Sequence, residues 1–325
     1  MAPTLPSHLQ DIRDRVTIGR EAPANTEAFV SSNAFSPSGI DNSFVLSSFK
    51  DGFSIRIIEK SFHHLVFDMV GIDAPLANAF RRILLGEVPT FAIEYVDFID
   101  NTSIIADENL AHRLGLVPLN IDPRKYPEDK EFTFALKATC KRKPGADADS
   151  DVQVKYENAH VYSSSLICIS DPEIRPVHED ILIAKLRPGQ SIEFTCIAKK
   201  GMGSVHAKWS PVATATYRML PAITIVDEEF FRGENAKELV KRCPMGVYDI
   251  EDGHAIVAKP RNCTMCRECI REKGWEDKIK LQRLRQHFVF SIESVGMMSA
   301  TDIFRQATDV LIKKCASLHE DVGKV

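Results

Sequence analysis

The chain has 325 residues, 44% of them hydrophobic, so it can bury a sizeable core and divide into two or three domains. Its 41 basic and 45 acidic residues give a formal net charge of -4, which excludes general attraction to nucleic acid, so we expect any contact with DNA to be indirect. The first residues lack the apolar region of a signal peptide, and no apolar run approaches the roughly 18 residues of a membrane span, so we expect an intracellular protein with no membrane insertion.

Residues 1–53 mix proline, serine and asparagine with short apolar pieces and show no sustained periodicity. We expect an extended, partner-dependent arm there. The next stretch, residues 54–70, is rich in β-branched and aromatic residues, and Leu65, Phe67 and Met69 alternate along it. This pattern predicts two strands joined by a tight connection.

A short amphipathic helix is predicted next, with Pro75 in its first turn and Gly86 and Pro89 at its end. Its apolar residues recur at helical spacing: Leu76, Phe80, Ile83, Leu84 and Val88. One face is therefore apolar over three turns and must pack on something. The run TFAIEYVDFI that follows predicts a strand.

Residues 99–284 are predicted to be mostly β, because short runs such as ILIAKL and SIEFTCIAKKG alternate with turn signals. A loop of Gly, Ala, Asp and Ser at about 142–151 is expected to be mobile. The segment GENAKELVKRCP predicts a short helix leading into a cysteine cluster.

The C-terminal part predicts a strand, HFVFSIESV, and then a long amphipathic helix. Ser299 and Asp302 have capping-box spacing at its start. Its apolar face comprises Ile303, Ala307, Val310, Leu311, Cys315 and Leu318. The predicted fold is α+β, with a discontinuous domain at residues 54–98 and 285–325 interrupted by a β-rich domain at 99–284.

Eight cysteines in a large chain without a signal peptide indicate thiols or metal ligands in preference to disulfides. Four lie scattered in apolar contexts, and we expect them to be buried, inert thiols: Cys140, Cys168, Cys196 and Cys315. The other four cluster at about residues 228–284: Cys243, Cys263, Cys266 and Cys269.

The clustered cysteines have the spacing of an iron–sulfur loop. Three are each separated by two residues, and Cys243-Pro244 matches the Cys-Pro pair that supplies a fourth ligand in bacterial-type ferredoxins. Ligands three residues apart let one tight loop wrap three corners of a [4Fe–4S] cluster. Zinc on the same four thiolates is less favoured, because four-cysteine zinc sites usually come as two separated C-x2-C pairs. Three states therefore stay open: a [4Fe–4S] cluster, zinc, or no metal.

Three sequence motifs resemble those of a known family: PLANAFRRILLGEVPTFAIEYV at 75–96, DENLAHRLGLVPL at 107–119 and HAKWSP at 206–211. Over roughly residues 50–325 the chain resembles the N-terminal domain of RNA polymerase alpha subunits, most of all archaeal D and the larger eukaryotic alpha-like subunits. The arm with GREAPANTEAF is similar to the branch shared by eukaryotic polymerases I and III. The polymerase II branch has a zinc-binding cysteine cluster early in its inserted domain, and this sequence has no cysteine before Cys140.

The resemblance implies that the discontinuous domain is an alpha-type dimerisation domain and that the insertion carries a ferredoxin-like subdomain, as in certain archaeal D subunits. It implies heterodimerisation with a small alpha-like subunit, as a platform for the second-largest subunit and small zinc-bearing subunits. The implied location is the nucleus, including the nucleolus, in transcription of ribosomal and small RNAs. The dimer interface is expected to comprise Phe80, Ile83, Leu84, Ile303, Ala307, Val310 and Leu311, although part of the first helix could be internal core.

No catalytic site is expected. Glu108, His112 and Arg113 lie close together in sequence, but alpha-type subunits hold no part of the nucleotidyl-transfer centre. We expect His206 and Trp209 to be structural. The alternative function is that of an electron carrier built around the cysteine subdomain. It would leave the three polymerase-like sequence motifs unexplained.

Overall fold

The computed structural model describes residues 7–26, 45–144 and 155–324. These residues form α-helices and antiparallel sheets, as the α+β prediction requires. None of the described helices is both long and apolar enough to cross a membrane. The described α-helices are α1 Ser7–Asp14, α2 Leu46–Gly52, α3 Ala74–Gly86, α4 Asp107–Gly115, α5 Glu234–Arg242 and α6 Ala300–Val322.

The described strands are numbered in chain order. They are β1 Arg15–Ile18, β2 Pro23–Ala24, β3 Ser54–Lys60, β4 His64–Val70, β5 Pro89–Asn101, β6 Phe132–Thr139, β7 Lys141–Arg142, β8 Tyr156–Glu157, β9 His160–Tyr162, β10 Ile167–Cys168, β11 Leu182–Lys185, β12 Ser191–Met202, β13 Val212–Ile225, β14 Tyr248–Glu251, β15 His254–Val257 and β16 Ile279–Ser294.

The chain divides into two compact units. The first contains residues 1–58, 66–78 and 217–290, and the second contains residues 59–65, 79–216 and 291–325. Both units are discontinuous in sequence. The boundaries between the two units differ from the predicted domain boundaries at residues 98 and 285, and those domain boundaries remain predictions.

The largest sheet has the strand order β2-β1-β16-β4-β3, with β13 also paired to β16. Within the first unit, the rings of Phe67 and Phe290 stack with centroids 5.1 Å apart. Tyr217 packs edge-on against Phe288 at 5.5 Å. Burying large aromatic side chains of this kind is the main source of stability for such a core.

The N-terminal segment differs from the extended arm that the sequence suggested. Residues 7–24 contain α1, β1 and β2, and β1 pairs antiparallel with β16, with Arg15 opposite Leu284. Val16 is only 8% exposed. A four-residue strand is too short to show a period in sequence, so its pairing was missed. The rest of the predicted arm, residues 1–6 and 27–44, lies outside the described residues.

The predicted strand pair and helix after the arm are confirmed. β3 and β4 are joined by a tight turn in which the Ser61 N–H donates to the His64 carbonyl at 2.7 Å. The helix predicted between Pro75 and Gly86 is α3. Gly71, which precedes it, has φ +81°, and a Cβ there would overlap the backbone of Gly52. Only glycine suits that position.

The second unit contains the four-stranded sheet β10-β6-β12-β5. One face forms a core to which α4 contributes Leu110 and Leu114. Alternate residues of β12 point into this core: Ile192, Phe194, Cys196 and Ala198, each at most 1% exposed. The prediction of mostly β structure is confirmed for this region. Most of the loop expected to be mobile at 142–151 lies outside the described residues.

Candidate subunit interface and cysteine loop

The long C-terminal helix α6 is buried only at its start. The Ser299 hydroxyl accepts a hydrogen bond from the Asp302 N–H at 3.1 Å, so the predicted cap is confirmed. Ala300, Ile303 and Ala307 are fully buried. From Ile312 to Val322 every residue is exposed. At about 1.5 Å per residue, roughly 15 Å of helix is therefore left largely uncovered by the described part of the chain.

This exposed part of α6 carries an apolar seam, defined here as Leu311, Cys315, Leu318 and Val322. The residues are spaced by four, three and four positions, which places them on one side of the helix. Leu318 and Val322 are each 66% exposed, and the neighbouring Ile312 is 60% exposed. Isolated helices of this length are marginal in water, so most helical stability in proteins comes from packing an apolar face. The seam is therefore suited to packing against a helix of another chain.

Two contacts connect α6 to the end of α3. The rings of Phe80 and Phe304 lie 5.4 Å apart, and the Lys314 Nζ donates to both carboxylate oxygens of Glu87 at 2.8 and 2.9 Å. Phe304 continues the seam toward the helix start, because it precedes Leu311 by seven residues. Phe80 is half-buried. The Phe80 ring and the seam therefore belong to one partly open apolar surface.

The residues predicted for the dimer interface fall into two groups. Ile83, Leu84, Ile303 and Ala307 are at most 2% exposed in the single chain, so they have little surface to offer a partner. Phe80, Val310 and Leu311 keep partial exposure. The exposed apolar residues Ile312 and Val322 were missed. The four-three-four spacing continuing beyond Leu311 could have found Val322, whereas Ile312 lies off that spacing. Which of these residues contact a partner remains a prediction.

The expectation of a buried thiol is wrong for Cys315, which is exposed. It lies in the part of α6 beyond the buried turns, where every residue from Ile312 to Val322 is exposed. The expectation is confirmed for Cys140, Cys168 and Cys196, which lie in the core of the second unit.

The four clustered cysteines lie in the first unit, in a region with a hydrophobic cluster of its own. Its hydrophobic core includes Phe231 and Trp275, whose rings meet edge-on at 5.0 Å. The Arg242 guanidinium lies 4.6 Å from the Trp275 ring. Cys263 and Cys269 are buried in this core, Cys243 is half-buried beside it, and Cys266 is exposed.

The backbone of the cysteine loop is tightly turned. Met265 and Arg267, the residues on either side of Cys266, have φ +61° and +69°, in the left-handed region that few non-glycine residues adopt. The Met265 N–H donates to the Cys263 sulfur, and the Val247 N–H donates to the Cys243 sulfur, each at 3.4 Å. Turned backbones whose N–H groups converge in this way are found at many anion and iron–sulfur sites.

Burial raises the pKa of the Cys269 thiol to about 11 and also raises the pKa of Cys263, with the other clustered cysteines adding to both shifts. Within the described ranges, no group of three or more His, Cys, Asp or Glu side chains is arranged to hold a metal ion. The donor chemistry and the backbone therefore suit a thiophilic metal, whereas the side-chain positions do not form a ligand set. Metal binding here stays a prediction.

A buried ion pair anchors the turn that precedes Cys263. Asp68 on β4 is 2% exposed and accepts two hydrogen bonds from the Arg261 guanidinium, one of them at 3.0 Å. His287 Nε2 lies 3.1 Å from the same carboxylate, outside hydrogen-bonding geometry. Burial by itself raises the pKa of Asp68, but Arg261 and His287 together outweigh it, so its pKa lies below the ordinary value.

Arg113, which invited an active-site interpretation, and Trp209 both have structural contacts. Arg113 donates from Nε to the Ile183 carbonyl at 3.1 Å and also to the Leu182 carbonyl. Trp209 is 6% exposed, and its Nε1 donates to the Lys199 carbonyl at 3.1 Å. Glu108 is exposed. The burial and hydrogen bond of Trp209 agree with the expectation that this residue is structural.

Comparisons with known proteins agree on one family. The model of the RNA polymerase Rpb3/Rpb11 dimerisation domain matches residues 66–315. The chain is similar to "DNA-directed RNA polymerases I and III subunit rpac1" of Dictyostelium discoideum, with 42% identity covering 98% of this chain and 96% of the relative. The human protein named RPAC1, of the same description, is 39% identical over 98% of this chain and 97% of its own length. "DNA-directed RNA polymerase II subunit rpb3" of Dictyostelium discoideum is 32% identical over 83% of this chain and 95% of its own length.

Proposed function

This chain belongs to the family of the RNA polymerase Rpb3/Rpb11 dimerisation domain, and from that premise we propose that it is the larger alpha-like subunit shared by RNA polymerases I and III. In this role it is a subunit of a DNA-directed RNA polymerase and has no catalytic activity of its own. Its task is assembly: it forms a heterodimer with a small alpha-like subunit, and the pair is the platform for the catalytic subunits.

The observation that carries this proposal is the exposed seam of α6. Leu318 and Val322 keep two thirds of their surface in water in the single chain, although burying such a side chain fully is worth about 1.5–3 kcal/mol. A matching apolar helix of the small subunit would cover the seam and extend onto Phe80. Lys314 is already paired with Glu87, so that cation needs no partner from the second chain.

The choice of polymerases I and III is supported by two observations. Within one organism, Dictyostelium discoideum, identity is 42% to the subunit named for polymerases I and III and 32% to the polymerase II subunit. The sequence also has no cysteine before Cys140, where the polymerase II branch carries a zinc-binding cluster.

The wider role follows from the same family membership. The heterodimer would bind the second-largest subunit and small zinc-bearing subunits in the nucleus, including the nucleolus, for transcription of ribosomal and small RNAs. The net charge of -4 supports contact with DNA only through those other subunits.

For the cysteine loop we propose that Cys243, Cys263, Cys266 and Cys269 hold a [4Fe–4S] cluster, with zinc or no metal as the alternatives. Such a cluster would supply one-electron redox chemistry or a covalent staple for the subdomain. The loop backbone and the N–H bonds to two sulfurs support this proposal. Cys263 and Cys269 must lose their protons on binding, because thiolates are the ligands.

The cluster is tested on anaerobically purified protein by visible absorbance and by iron, sulfide and zinc analysis. We expect wild-type protein to absorb in the visible range and Cys266→Ser to lose that absorbance and its iron. Cys315→Ser is the matched control, because that exposed thiol lies on α6 and is not one of the four clustered cysteines. If wild-type protein is colourless and contains stoichiometric zinc, the four cysteines bind zinc and the [4Fe–4S] assignment is wrong. Protein without either metal would refute metal binding at this site.

The assembly role is tested by affinity purification of the tagged chain from its native cells, with mass spectrometry of the proteins retained after a salt wash. We expect the large subunits of both polymerases I and III and a small alpha-like chain. Recovery of polymerase II subunits alone would overturn the choice of branch. Recovery of a reductase without polymerase chains would favour an electron carrier and refute assembly.

A further inference from the structure

The outer face of the four-stranded sheet β10-β6-β12-β5 is apolar and open. Its inner face packs into the core of the second unit, and an uncovered outer face of an antiparallel sheet usually carries polar side chains. Here four large apolar side chains lie exposed on it: Ile167 at 67%, Ile169 at 61%, Tyr95 at 52% and Ile99 at 66%.

Strand register makes most of this face continuous. One row of neighbouring residues crosses all four strands: Ile167, Ala135, Thr195 and Asp97. The adjacent row contains Ile169, Thr133, Ile197 and Tyr95, with the Ile169 N–H donating to the Thr133 carbonyl at 2.8 Å. Strands lie about 4.8 Å apart, so each row is roughly 14 Å wide. The middle of these rows holds Ala135, Thr133, Thr195 and Ile197, and the more exposed apolar side chains Ile167, Ile169 and Tyr95 lie at their ends; we call this face a trough.

Two ion pairs lie beside the trough. Lys137 lies 2.7 Å from the Glu193 carboxylate, and Lys199 lies 2.7 Å from that of Glu131. The Lys199 Nζ also lies 4.8 Å from the centre of the Tyr95 ring. Asp97 is exposed, and in the described parts of the chain no basic side chain forms an ion pair with it. The face therefore presents exposed apolar side chains next to the Asp97 carboxylate, which has no ion pair within the described residues.

We propose that this face, the β10-β5 trough, is a docking surface for another subunit of the same polymerase, which covers it with an apolar segment that places a lysine or arginine opposite Asp97. This inference rests on the proposed function, because it takes the partner from the assembly. A basic side chain there would pair the free carboxylate, and an apolar segment would remove the exposed isoleucines and Tyr95 from water.

The size of the trough argues against a second copy of this chain as the occupant. Two rows and their margins cover roughly 200–400 Å², whereas a stable interface buries about 800 Å² on each partner. A second copy would also bring its own Asp97 toward the first in a symmetric contact. The trough is thus suited to being one part of a larger interface, whose other contacts hold the partner in place.

The test places a photo-crosslinking amino acid at Tyr95 or at Ile167 in the tagged full chain, within purified polymerase. The control position is Ile250, which is 40% exposed on β14 in the other unit. We expect both trough positions, and not the control, to crosslink to the same segment of one polymerase subunit, a segment with apolar residues and a lysine or arginine. Crosslinks to a second copy of this chain, or no crosslinks from either position in intact polymerase, would overturn the proposal.

Substitutions give a second readout. We expect Asp97→Lys, and separately the double change Ile167→Ser with Ile169→Ser, to lower the retained amount of the crosslinked subunit about tenfold after a salt wash. The small alpha-like chain should be retained as in wild type, and Ile250→Ser should change nothing. Because all these side chains are already exposed, the melting temperature of the variants should match wild type.

The outcomes separate the two proposals. If the wild-type chain retains no polymerase subunits, the proposed function fails and this inference fails with it. If the wild type retains them and the trough variants retain every subunit at wild-type ratios, the proposed function survives and the docking surface is refuted.

Discussion

Replacing Leu318 by aspartate is expected to break the heterodimer without unfolding the chain. Leu318 is 66% exposed on the seam, so the single chain loses little packing. In the heterodimer the leucine would be covered. Burying two thirds of a leucine side chain is worth roughly 1–2 kcal/mol. Burying an unpaired polar group costs about 1–3 kcal/mol more.

The two contributions sum to about 2–5 kcal/mol, which corresponds to a rise in Kd of roughly 30-fold to several thousand-fold. The assay is titration of the purified chain with the purified small alpha-like subunit, followed by calorimetry or fluorescence anisotropy. The melting temperature of the free Leu318→Asp chain should stay at the wild-type value, which shows that the loss concerns binding.

Ala316→Asp is the matched control, because it introduces the same carboxylate in the same exposed turns of α6 but off the seam. Its helix-propensity cost is at least as large, and it carries the same unfavourable charge near the helix C-terminus. We expect its Kd to stay within about threefold of wild type, since surface substitutions usually change the free energy by less than about 0.5 kcal/mol. Equal binding by Leu318→Asp and wild type, or equal losses in both variants, would refute the seam as the interface.

Three further outcomes are expected. Asp68→Asn should lower the free energy of unfolding at pH 7 by about 2–3 kcal/mol in urea titrations, because the partly exposed Arg261 loses its buried carboxylate. The pKa of Asp68 is lower in the folded state, so the difference in free energy of unfolding between wild type and this variant should be complete above the unfolded-state pKa of about 3.9. It should shrink as the pH falls through the lower folded-state pKa, and a difference that does not depend on pH would contradict this. In metal-free protein at pH 7, iodoacetamide should alkylate the exposed Cys266 well before the buried Cys269, whose pKa is about 11, and peptide mapping that finds equal rates would contradict the burial of Cys269.

Local sequence signals were reliable where they depend on neighbouring residues. Ser299 and Asp302 predicted the start of α6, and Pro75 and Gly86 predicted α3, because caps and helix breakers act within one turn. The strict alternation in β12 predicted a strand with two different faces. The spacing of the clustered cysteines predicted a common subdomain, which stays a prediction; Cys263 and Cys269 are buried in one hydrophobic cluster, and Cys243 packs against it.

Other features depend on residues far apart in sequence and were missed. β1 pairs with a strand more than 260 residues away, and Asp68 meets Arg261 across 193 residues. No local pattern marks either contact. The alternation in β12 also does not reveal whether its outer face is covered, so the β10-β5 trough was not anticipated.

The sequence by itself determined the family, the helices and strands with strong local signals, and the apolar stripe along α6. Only the tertiary structure decided where on that stripe the chain's own core ends, with Ile303 and Ala307 inside and Leu318 and Val322 outside. The physical reason is that periodicity follows from the geometry of one helix. Burial depends instead on which distant segments, such as the end of α3 with Phe80 and Glu87, reach that helix and where they stop.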